Sequence, residues 1–219
     1  MLISFKHCAD LYKQLYGSSI REVLHVGGNT GEELTCYVSN GVSRSLWFEP
    51  NPLVFPTLVQ NCLNTAGTHV ALQFALSDKN AESELFIANN FQSSSLFQFE
   101  DHLTEHPSVH YMAKCPVRVR SFDSMSADVY EKLPSFSPQF VNLDIQGSEY
   151  SALQGMLNLL RESVSMIYCE VNMKKLYAGI KLVGDIDKLL EQSNFVRILT
   201  SWTEHGWGDS VYIKKVENF

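Results

Sequence analysis

Short apolar segments alternate along the chain with longer segments in which apolar residues recur at helical spacing. The short segments end at Gly, Pro, Asn, Asp or Ser, which is typical of buried strands. On this pattern we predict strands at residues 22–26, 44–48, 69–76, 139–145 and 164–171. The helical spacing predicts helices at residues 32–39, 53–63, 148–161 and 183–192.

This alternation of strands and helices predicts an α/β fold in which a parallel sheet carries helices on both faces. The strands are almost continuously apolar, as expected when both faces of a sheet are buried. Two further strand patterns, at residues 195–202 and 209–215, leave no room for a helix between them. They predict an antiparallel hairpin at one edge of the sheet.

Residues 78–122 interrupt this rhythm. The segments ESELFIA and CPVRVRSF have strand patterns, and they flank a long polar stretch that contains three histidines. We interpret residues 78–122 as an insertion that covers the functional site. Residues 1–219 are then one domain, with an N-terminal helical segment at residues 1–21.

Composition narrows the class of protein. The chain has 219 residues with 45% hydrophobic content, which is ordinary for a globular domain and excludes disordered, collagen-like and coiled-coil proteins. With 17 Lys and Arg against 24 Asp and Glu, its net charge is −7. An acidic balance argues against binding along a nucleic-acid backbone, which requires a basic face.

The five cysteines are widely spaced and include no C-x-x-C pair, so we expect mostly buried thiols in a reducing compartment. The first residues lack the basic and apolar regions of a secretory signal. No apolar run approaches the ~20 residues of a membrane span. We therefore expect a soluble cytoplasmic protein, and the sequence says nothing about its oligomeric state.

Polar or small residues follow every strand of the predicted sheet. In open parallel sheets, ligands bind beyond the carboxyl ends of the strands, so these residues are the candidate site. Taken strand by strand, they are Gly27, Gly28 and Gly31; Glu49 and Asn51; Ala75, Leu76 and Ser77; Asp144, Gln146 and Gly147; and Glu170 and Asn172.

The first of these loops, G-G-N-T-G, is suited to a ligand that approaches the backbone closely at the start of a helix. It is shorter than a dinucleotide fingerprint and lacks the Lys of a P-loop. The alternative is a tight strand-to-helix turn without a ligand. Glu49, at the end of the next strand, could bind ribose hydroxyls; otherwise it is a helix cap or a solvated acid.

Eight segments occur in the order and spacing of a known family. They are VLHVGGNTG, SLWFEPNP, FALSD, QSSSL, VNLDIQGSEYSALQG, IYCEVN, KLYAG and GWGDSVYI. From about residue 22 to 215, the chain resembles the FkbM-type S-adenosylmethionine-dependent methyltransferases. The resemblance implies a class I methyltransferase (Rossmann-like) fold, with a seven-stranded sheet that ends in a reversed hairpin. It also implies O-methylation, typically of sugars or hydroxylated natural products.

The resemblance assigns cofactor-binding residues position by position. Residues around the methionine part, the ribose and the adenine of S-adenosyl-L-methionine would be His25, Gly27, Gly28, Asn29, Gly31, Glu49, Pro50, Asn51, Ala75, Leu76, Ser77, Asp144 and Gln146. One position departs from the common pattern, because His25 stands where the family most often has Asp. A His would contact the amino group of the cofactor differently.

Two acids are the candidate catalytic residues. Asp144 follows the fourth strand of the family pattern, where the donor methyl would point, and Glu170 ends the next strand. Either could act as a base on an acceptor hydroxyl or orient it. The alternatives are helix caps or hydrogen-bonded supporting acids. Two converging acids could also hold a divalent cation, but we predict no metal site.

Further residues could contact the acceptor. They are Ser93, Ser94, Ser95, Asn172, Tyr177 and Trp207. The serines could bind acceptor hydroxyls or cap a helix that begins near Leu96, and the tryptophan could stack on a sugar or pack in the core. Pro107 interrupts any continuous helix through His102, His106 and His110, so we expect solvated histidines rather than a zinc site.

We thus expect an O-methyltransferase that acts on a small-molecule or glycan acceptor, with no nucleic-acid or membrane partner. Two alternatives stay open. One is a catalytically inactive binding module that has kept the fold, and the other is an N-methyltransferase.

Overall fold

A computed structural model describes residues 1–215, and two sheets organise it. The strands are β1 (Glu22–Val26), β2 (Arg44–Phe48), β3 (Thr68–Leu72), β4 (Ala75–Leu76), β5 (Ala81–Ala88), β6 (Tyr111–Arg120), β7 (Phe140–Leu143), β8 (Met166–Asn172), β9 (Phe195–Trp202) and β10 (Trp207–Lys214). The helices are α1 (Phe5–Tyr16), α2 (Leu34–Ser39), α3 (Phe55–Asn64), α4 (His102–Glu105), α5 (Phe122–Lys132), α6 (Glu149–Gln154), α7 (Leu157–Glu162) and α8 (Val183–Glu191).

The central sheet has seven strands in the order β3-β2-β1-β7-β8-β10-β9. The pairs from β3 to β8 are parallel, and β10 is antiparallel to both β8 and β9. The predicted parallel sheet and its C-terminal hairpin are therefore confirmed. Strand order reverses between β1 and β7, and in this class of sheet such a point opens a crevice beyond the strand ends.

Helices cover both faces of this sheet, and each face has its own core. One core contains Phe122, Leu153 and Leu190 from the helices, packed against β1, β7 and β8. The other joins α1, α2 and α3 to the opposite face through Tyr37 and Trp47. Burial on both sides is why the strand sequences are continuously apolar.

Local sequence sets the helix ends. At the start of α1 the side chain of Ser4 accepts a hydrogen bond from the backbone amide of His7 (3.3 Å), and the end of α1 is capped by Gly17, whose φ of 68° is left-handed. In α3 Pro56 lies in the first turn, where no amide hydrogen is needed. The buried residues of α3 are Leu58 and Cys62, and the helix begins two residues after the predicted start at residue 53.

The predicted strand at 69–76 is wrong as one element. It divides into β3, an edge of the central sheet, and β4, which joins a separate three-stranded sheet in the order β4-β6-β5. A turn separates them, in which the amide of Phe74 donates to the carbonyl of Leu72 (3.1 Å). Val70, Leu72 and Phe74 are partly buried against the core of the central sheet, and Ala75 and Leu76 are buried, so apolar residues occur on both sides of the turn.

The predicted helix at 148–161 is likewise divided, into α6 and α7. Its interruption is at Gly155, whose carbonyl accepts hydrogen bonds from the amide of Asp123 (2.9 Å) and the hydroxyl of Ser121 (3.0 Å). A Cβ at Gly155 would lie 1.9 Å from the carbonyl oxygen of Ser77. The close approach of these backbones therefore takes precedence over the helical pattern.

Residues 78–122 contain the two predicted strands, β5 and β6, which pair antiparallel, and a loop with α4 between them. The loop is tied to the segment after β8, since the amide of Glu100 donates to the carbonyl of Leu176 (2.8 Å) and Phe99 forms a bridge with Tyr177. It is therefore held against the carboxyl ends of the central strands. Within residues 1–215, no helix has both the length and the apolar character required to cross a membrane.

Candidate active site

A cavity of about 440 Å³ lies beyond the carboxyl ends of β1, β2, β7 and β8, beneath the insertion. Its lining comes from both the central sheet and residues 90–109. It includes most of the predicted site residues, namely His25, Gly27, Asn29, Glu49, Pro50, Ala75, Leu76, Ser93, Ser94, Ser95, Asp144, Gln146, Glu170, Tyr177 and Trp207. The predicted Gly28, Gly31, Asn51, Ser77 and Asn172 lie outside this lining.

The loop after β1 is held by the neighbouring strands. The amides of Gly27 and Gly28 both donate to the carbonyl of Phe48 (2.9 and 3.0 Å). Gly27 has a φ of +90°, and a Cβ there would lie 2.0 Å from the carbonyl oxygen of Asp144. At Gly28 a Cβ would meet Leu58 at 2.9 Å. Glycine is needed at these two positions because a side chain would overlap Asp144 or Leu58, whether or not a ligand is bound.

Glu49 joins the first two strand ends. Its buried carboxylate accepts hydrogen bonds from the backbone amides of Asn29 (2.8 Å) and Asn51 (2.7 Å). Burial raises the pKa of Glu49 to about 7 despite these bonds. Asn51 turns away from the cavity and its Oδ1 accepts from the amide of Leu53 (3.0 Å) at the approach to α3.

His25 lies in an aromatic cluster beside the cavity. Its ring stacks on Trp47 at a centroid distance of 4.2 Å, and its Nδ1 lies 2.9 Å from the hydroxyl of Tyr37. The side-chain Nδ2 of Asn142 donates to the same hydroxyl (2.8 Å). Burial lowers the pKa of His25 to about 3, so the imidazole is neutral at neutral pH. The departure from Asp thus places an uncharged ring here.

This burial predicts a pH-dependent loss of stability. Below pH ~6.5 the unfolded state binds a proton at His25 that the folded state does not, so the free energy of unfolding falls as pH decreases. Lowering the pH from 7 to 5 is expected to destabilise the wild type by about 2 kcal/mol relative to His25→Gln. Urea denaturation of both proteins at the two pH values measures the difference. Parallel pH dependences would contradict a buried neutral His25.

The side-chain amide of Gln146 connects Asp144 and Glu170. Nε2 of Gln146 donates to Oδ1 of Asp144 (2.8 Å) and to Oε2 of Glu170 (3.0 Å). Burial raises the pKa of both carboxyl groups; the charge of Asp209 adds to the effect at Asp144, and the charge of Asp144 adds to it at Glu170. Tyr177 donates its hydroxyl hydrogen to the side-chain Oε1 of Gln146. The hydroxyl of Ser95 donates to the backbone carbonyl of Gln146 (2.7 Å). The insertion is thereby connected to the acids.

Other acids have local structural partners. Glu149 accepts from the amides of Ile145 (3.0 Å) and Gly147 (3.0 Å), and burial raises its pKa to about 7. Asp209 accepts hydrogen bonds from the Tyr168 hydroxyl and from the amide of Leu2. Within residues 1–215, no group of three or more His, Cys, Asp and Glu side chains is placed to hold a metal ion.

The serine run forms a strand-like turn, and the predicted helix near Leu96 is wrong. Ser95 pairs with Phe86 through two backbone hydrogen bonds (2.9 and 3.1 Å), which extends the smaller sheet. The hydroxyl of Ser94 accepts from the amide of Ala88 (3.1 Å). The serines therefore form part of the cavity wall, to which Trp207 at the start of β10 also belongs.

Sequence reasoning missed three side chains of this cavity region. Tyr37 and Asn142 surround His25 although they come from distant elements, and Oδ1 of buried Asn142 has no hydrogen-bond partner among the described residues. His102 is also buried, so the prediction that it is solvated is wrong; His110 is exposed as expected. The neighbouring aromatic residues Phe97, Phe99 and Tyr111 were the available signal for His102.

Known proteins share this sequence and architecture. Residues 25–197 match the family described as the methyltransferase FkbM domain. The chain belongs to the FkbM methyltransferase family. Of the curated relatives, the hexuronic acid methyltransferase AglP of Haloferax volcanii is 27% identical over 178 residues, which cover 78% of this chain and 67% of AglP.

Solved structures support the FkbM domain's class I methyltransferase fold. The magnesium protoporphyrin IX methyltransferase ChlM of Synechocystis superimposes with a TM-score of 0.53 at 10% identity, over 96% of this chain and 77% of ChlM. The putative RNA methyltransferase PH1948 of Pyrococcus horikoshii gives 0.51 at 12% identity, over 97% and 84% of the two chains. Because both identities are low, these likenesses establish the fold alone.

Proposed function

We propose that this FkbM methyltransferase transfers a methyl group from S-adenosylmethionine to a hydroxyl of a saccharide or of a hydroxylated natural product. The observation that carries the proposal is the continuity of the cavity. One space joins the loop after β1 and Glu49 to the Asp144–Gln146–Glu170 cluster and to the serines of the insertion. A donor and an acceptor could therefore meet over the two acids.

The residues around the first two strand ends fit the proposed cofactor. Glu49 offers carboxylate oxygens at the cavity wall, where ribose hydroxyls could donate to them. Asn142 has a buried Oδ1 without a partner, which could accept from the cofactor's ammonium group. Phe74 and Leu76 supply apolar lining for an adenine. When bound, this cofactor supplies a methyl group on a positively charged sulfur.

The charge of the lining agrees with that cofactor. Among the described residues, no Lys or Arg lines the cavity, whereas its acids are Glu32, Glu33, Glu49, Asp144, Glu170 and Asp209. Carboxylates near a cationic ligand lower its electrostatic free energy, particularly in a partly enclosed site. The same lining disfavours a nucleic-acid acceptor, so we propose a small molecule or glycan.

The acid pair can handle the proton of an acceptor hydroxyl. Because the pKa values of Asp144 and Glu170 are both raised, the pair can retain one proton that the Gln146 amide helps to position. In the proposed reaction, the acceptor oxygen attacks the methyl carbon and ionised Asp144 accepts the hydroxyl proton. The side chain of Gln146, which also bonds Glu170, holds the carboxylate of Asp144 in place. An amine that is already neutral attacks without a base, whereas a hydroxyl benefits from one, so this pair supports O-methylation.

The insertion supplies the other half of the proposed site. Residues 90–109 close the cavity above the acids, and we propose that residues 78–122 cover the acceptor within a single domain of residues 1–219. AglP is named as a hexuronic acid methyltransferase. That name supports a sugar as the acceptor here.

The proposal is tested with purified protein, methyl-labelled S-adenosylmethionine and a panel of glycosides, with products located by mass spectrometry. Asp144→Asn is expected to lower kcat by about 100-fold or more, since it removes a general base. Asp128→Asn, on the exposed face of α5, is the matched control and should behave as wild type. Calorimetry that detects no cofactor binding would favour the inactive binding module; methylated amines would favour the N-methyltransferase.

A further inference from the structure

An imidazole of the insertion lies in the cavity wall. His102 is the first residue of α4, is 3% exposed and lines the cavity. It does not belong to the strand ends or to the serine run. The proposed chemistry at Asp144 and Glu170 leaves this residue without a role.

His102 is packed on its faces but lacks a polar partner. Its ring stacks on Phe99 at a centroid distance of 4.1 Å and an interplanar angle of 8°, with Tyr177 and His106 at 5.3 and 4.9 Å. Among the described residues, Nδ1 of His102 has no hydrogen-bond partner. Leaving a buried polar nitrogen unpaired costs about 1–3 kcal/mol, so a ligand that supplies the partner would recover this free energy.

The helix that carries His102 is fixed in place. Glu105, at the end of α4, accepts from Nζ of Lys174 (2.6 Å) and from Nδ1 of His205 (3.2 Å) in the β9–β10 turn. The amide of His102 donates to the carbonyl of Leu176 (3.2 Å). These contacts secure α4 to the body of the protein, so the imidazole is positioned before any acceptor binds.

The charge state of His102 determines which ligand groups it can hydrogen-bond. Burial, together with nearby His106, lowers the pKa of His102 to about 4, and the titratable groups that face it are His106 of α4 and Tyr177 after β8. A neutral imidazole has one N–H donor and one acceptor nitrogen. Such a group suits a hydroxyl, which both donates and accepts, better than a carboxylate, which only accepts and is best held by a cation.

We propose that His102 binds a hydroxyl of the acceptor and selects a neutral polyol at this position over a carboxylated sugar. This proposal rests on the proposed function, because it assigns an acceptor to the same cavity. It also separates this protein from a relative whose name specifies a hexuronic acid. His102 acts in binding, whereas proton transfer is assigned to Asp144.

The test uses methyl glycosides of glucose, galactose and mannose, each paired with the corresponding uronic acid glycoside. Wild-type protein is expected to methylate at least one neutral glycoside with a KM about 10-fold or more below that of its uronic acid counterpart. His102→Phe keeps a ring that can stack on Phe99 but removes both nitrogens. It is expected to raise KM for the neutral glycoside by about 10- to 100-fold, the equivalent of one lost hydrogen bond in a buried site.

Two further measurements distinguish binding from a structural role. His102→Phe should keep the wild-type Kd for S-adenosylhomocysteine and should not lower Tm, because it removes the buried, unpaired Nδ1 and keeps a ring that can stack on Phe99. His110→Phe, at an exposed position of the same insertion, is the matched control. An unchanged KM, a lower Tm or a preference for uronic acids would overturn the assignment of His102. Wild-type protein without cofactor binding or methylation would instead overturn the proposed function, and this inference with it.

Discussion

Glu49→Gln is expected to weaken the binding of S-adenosylmethionine by roughly 10- to 100-fold, because hydrogen bonds to a charged group contribute about 1.5–3 kcal/mol. The carboxylate already holds the amides of Asn29 and Asn51, so it is oriented before the cofactor enters. A Gln side chain can accept on one oxygen only. Calorimetry at pH 8, where Glu49 is ionised, measures the change in Kd.

The same substitution is expected to remove a pH dependence of the protein's stability. The folded state holds a proton on Glu49 up to pH about 7, against 4.5 for an ordinary Glu. Between these values the folded state binds more protons than the unfolded state, so the stability of the wild type falls as pH rises. Glu49→Gln does not titrate, so its stability relative to wild type should increase by about 3 kcal/mol between pH 4.5 and pH 8.

The matched control is Glu32→Gln, which removes an equal charge from an exposed side chain at the cavity wall. It should change cofactor affinity by less than about 3-fold, because exposed charges are screened. Equal losses for the two variants would show that charge alone, and no contact specific to Glu49, determines affinity. A Glu49→Gln protein with unchanged Kd would contradict the cofactor site itself.

Gly27→Ala is expected to lower the free energy of unfolding by about 4 kcal/mol or more, a loss reached only by severe substitutions. The new Cβ would lie 2.0 Å from the carbonyl oxygen of Asp144, which is backbone and cannot rotate away. In addition, a φ of +90° is strained for alanine. Relief requires β1 and β7 to separate at their carboxyl ends, where the proposed cofactor would bind. Urea denaturation and calorimetry measure the two losses.

Gly17→Ala separates these causes. Gly17 also has a left-handed φ, of 68°, but a Cβ there would meet nothing within 4 Å. Gly17→Ala should lower the free energy of unfolding by about 1 kcal/mol, because only the backbone conformation is strained, and should leave cofactor affinity unchanged. If Gly27→Ala cost no more than Gly17→Ala, the close approach to Asp144 would not be a determinant of this site.

The sequence alone predicted the elements that local pattern controls. The bounds of β1 and β2 follow from compact apolar runs that stop at Gly27 and Glu49, and the hairpin follows from a gap too short for a helix. The apolar pattern does not reveal where one run passes from one sheet to another, or where a helix is interrupted because another backbone lies against it. It therefore did not predict the break between β3 and β4 or the one at Gly155.

The candidate site divides in the same way. Glu49, Asp144 and Glu170 could be predicted because parallel strands place their carboxyl ends at one edge of a sheet. Their convergence on the amide of Gln146, and its link to Tyr177, could not be predicted from their positions along the chain.

Taken by itself, the sequence determined the order of strands and helices, the family resemblance and the acids at the strand ends, because each depends on residues close together in the chain. Only the tertiary structure decided that His25 is a neutral ring between Trp47 and Tyr37 and that His102 is buried without a polar partner. The environment of each imidazole is built by side chains from distant segments. Burial and hydrogen bonding by those segments set its charge and its available partners, and neither is encoded in the neighbouring residues.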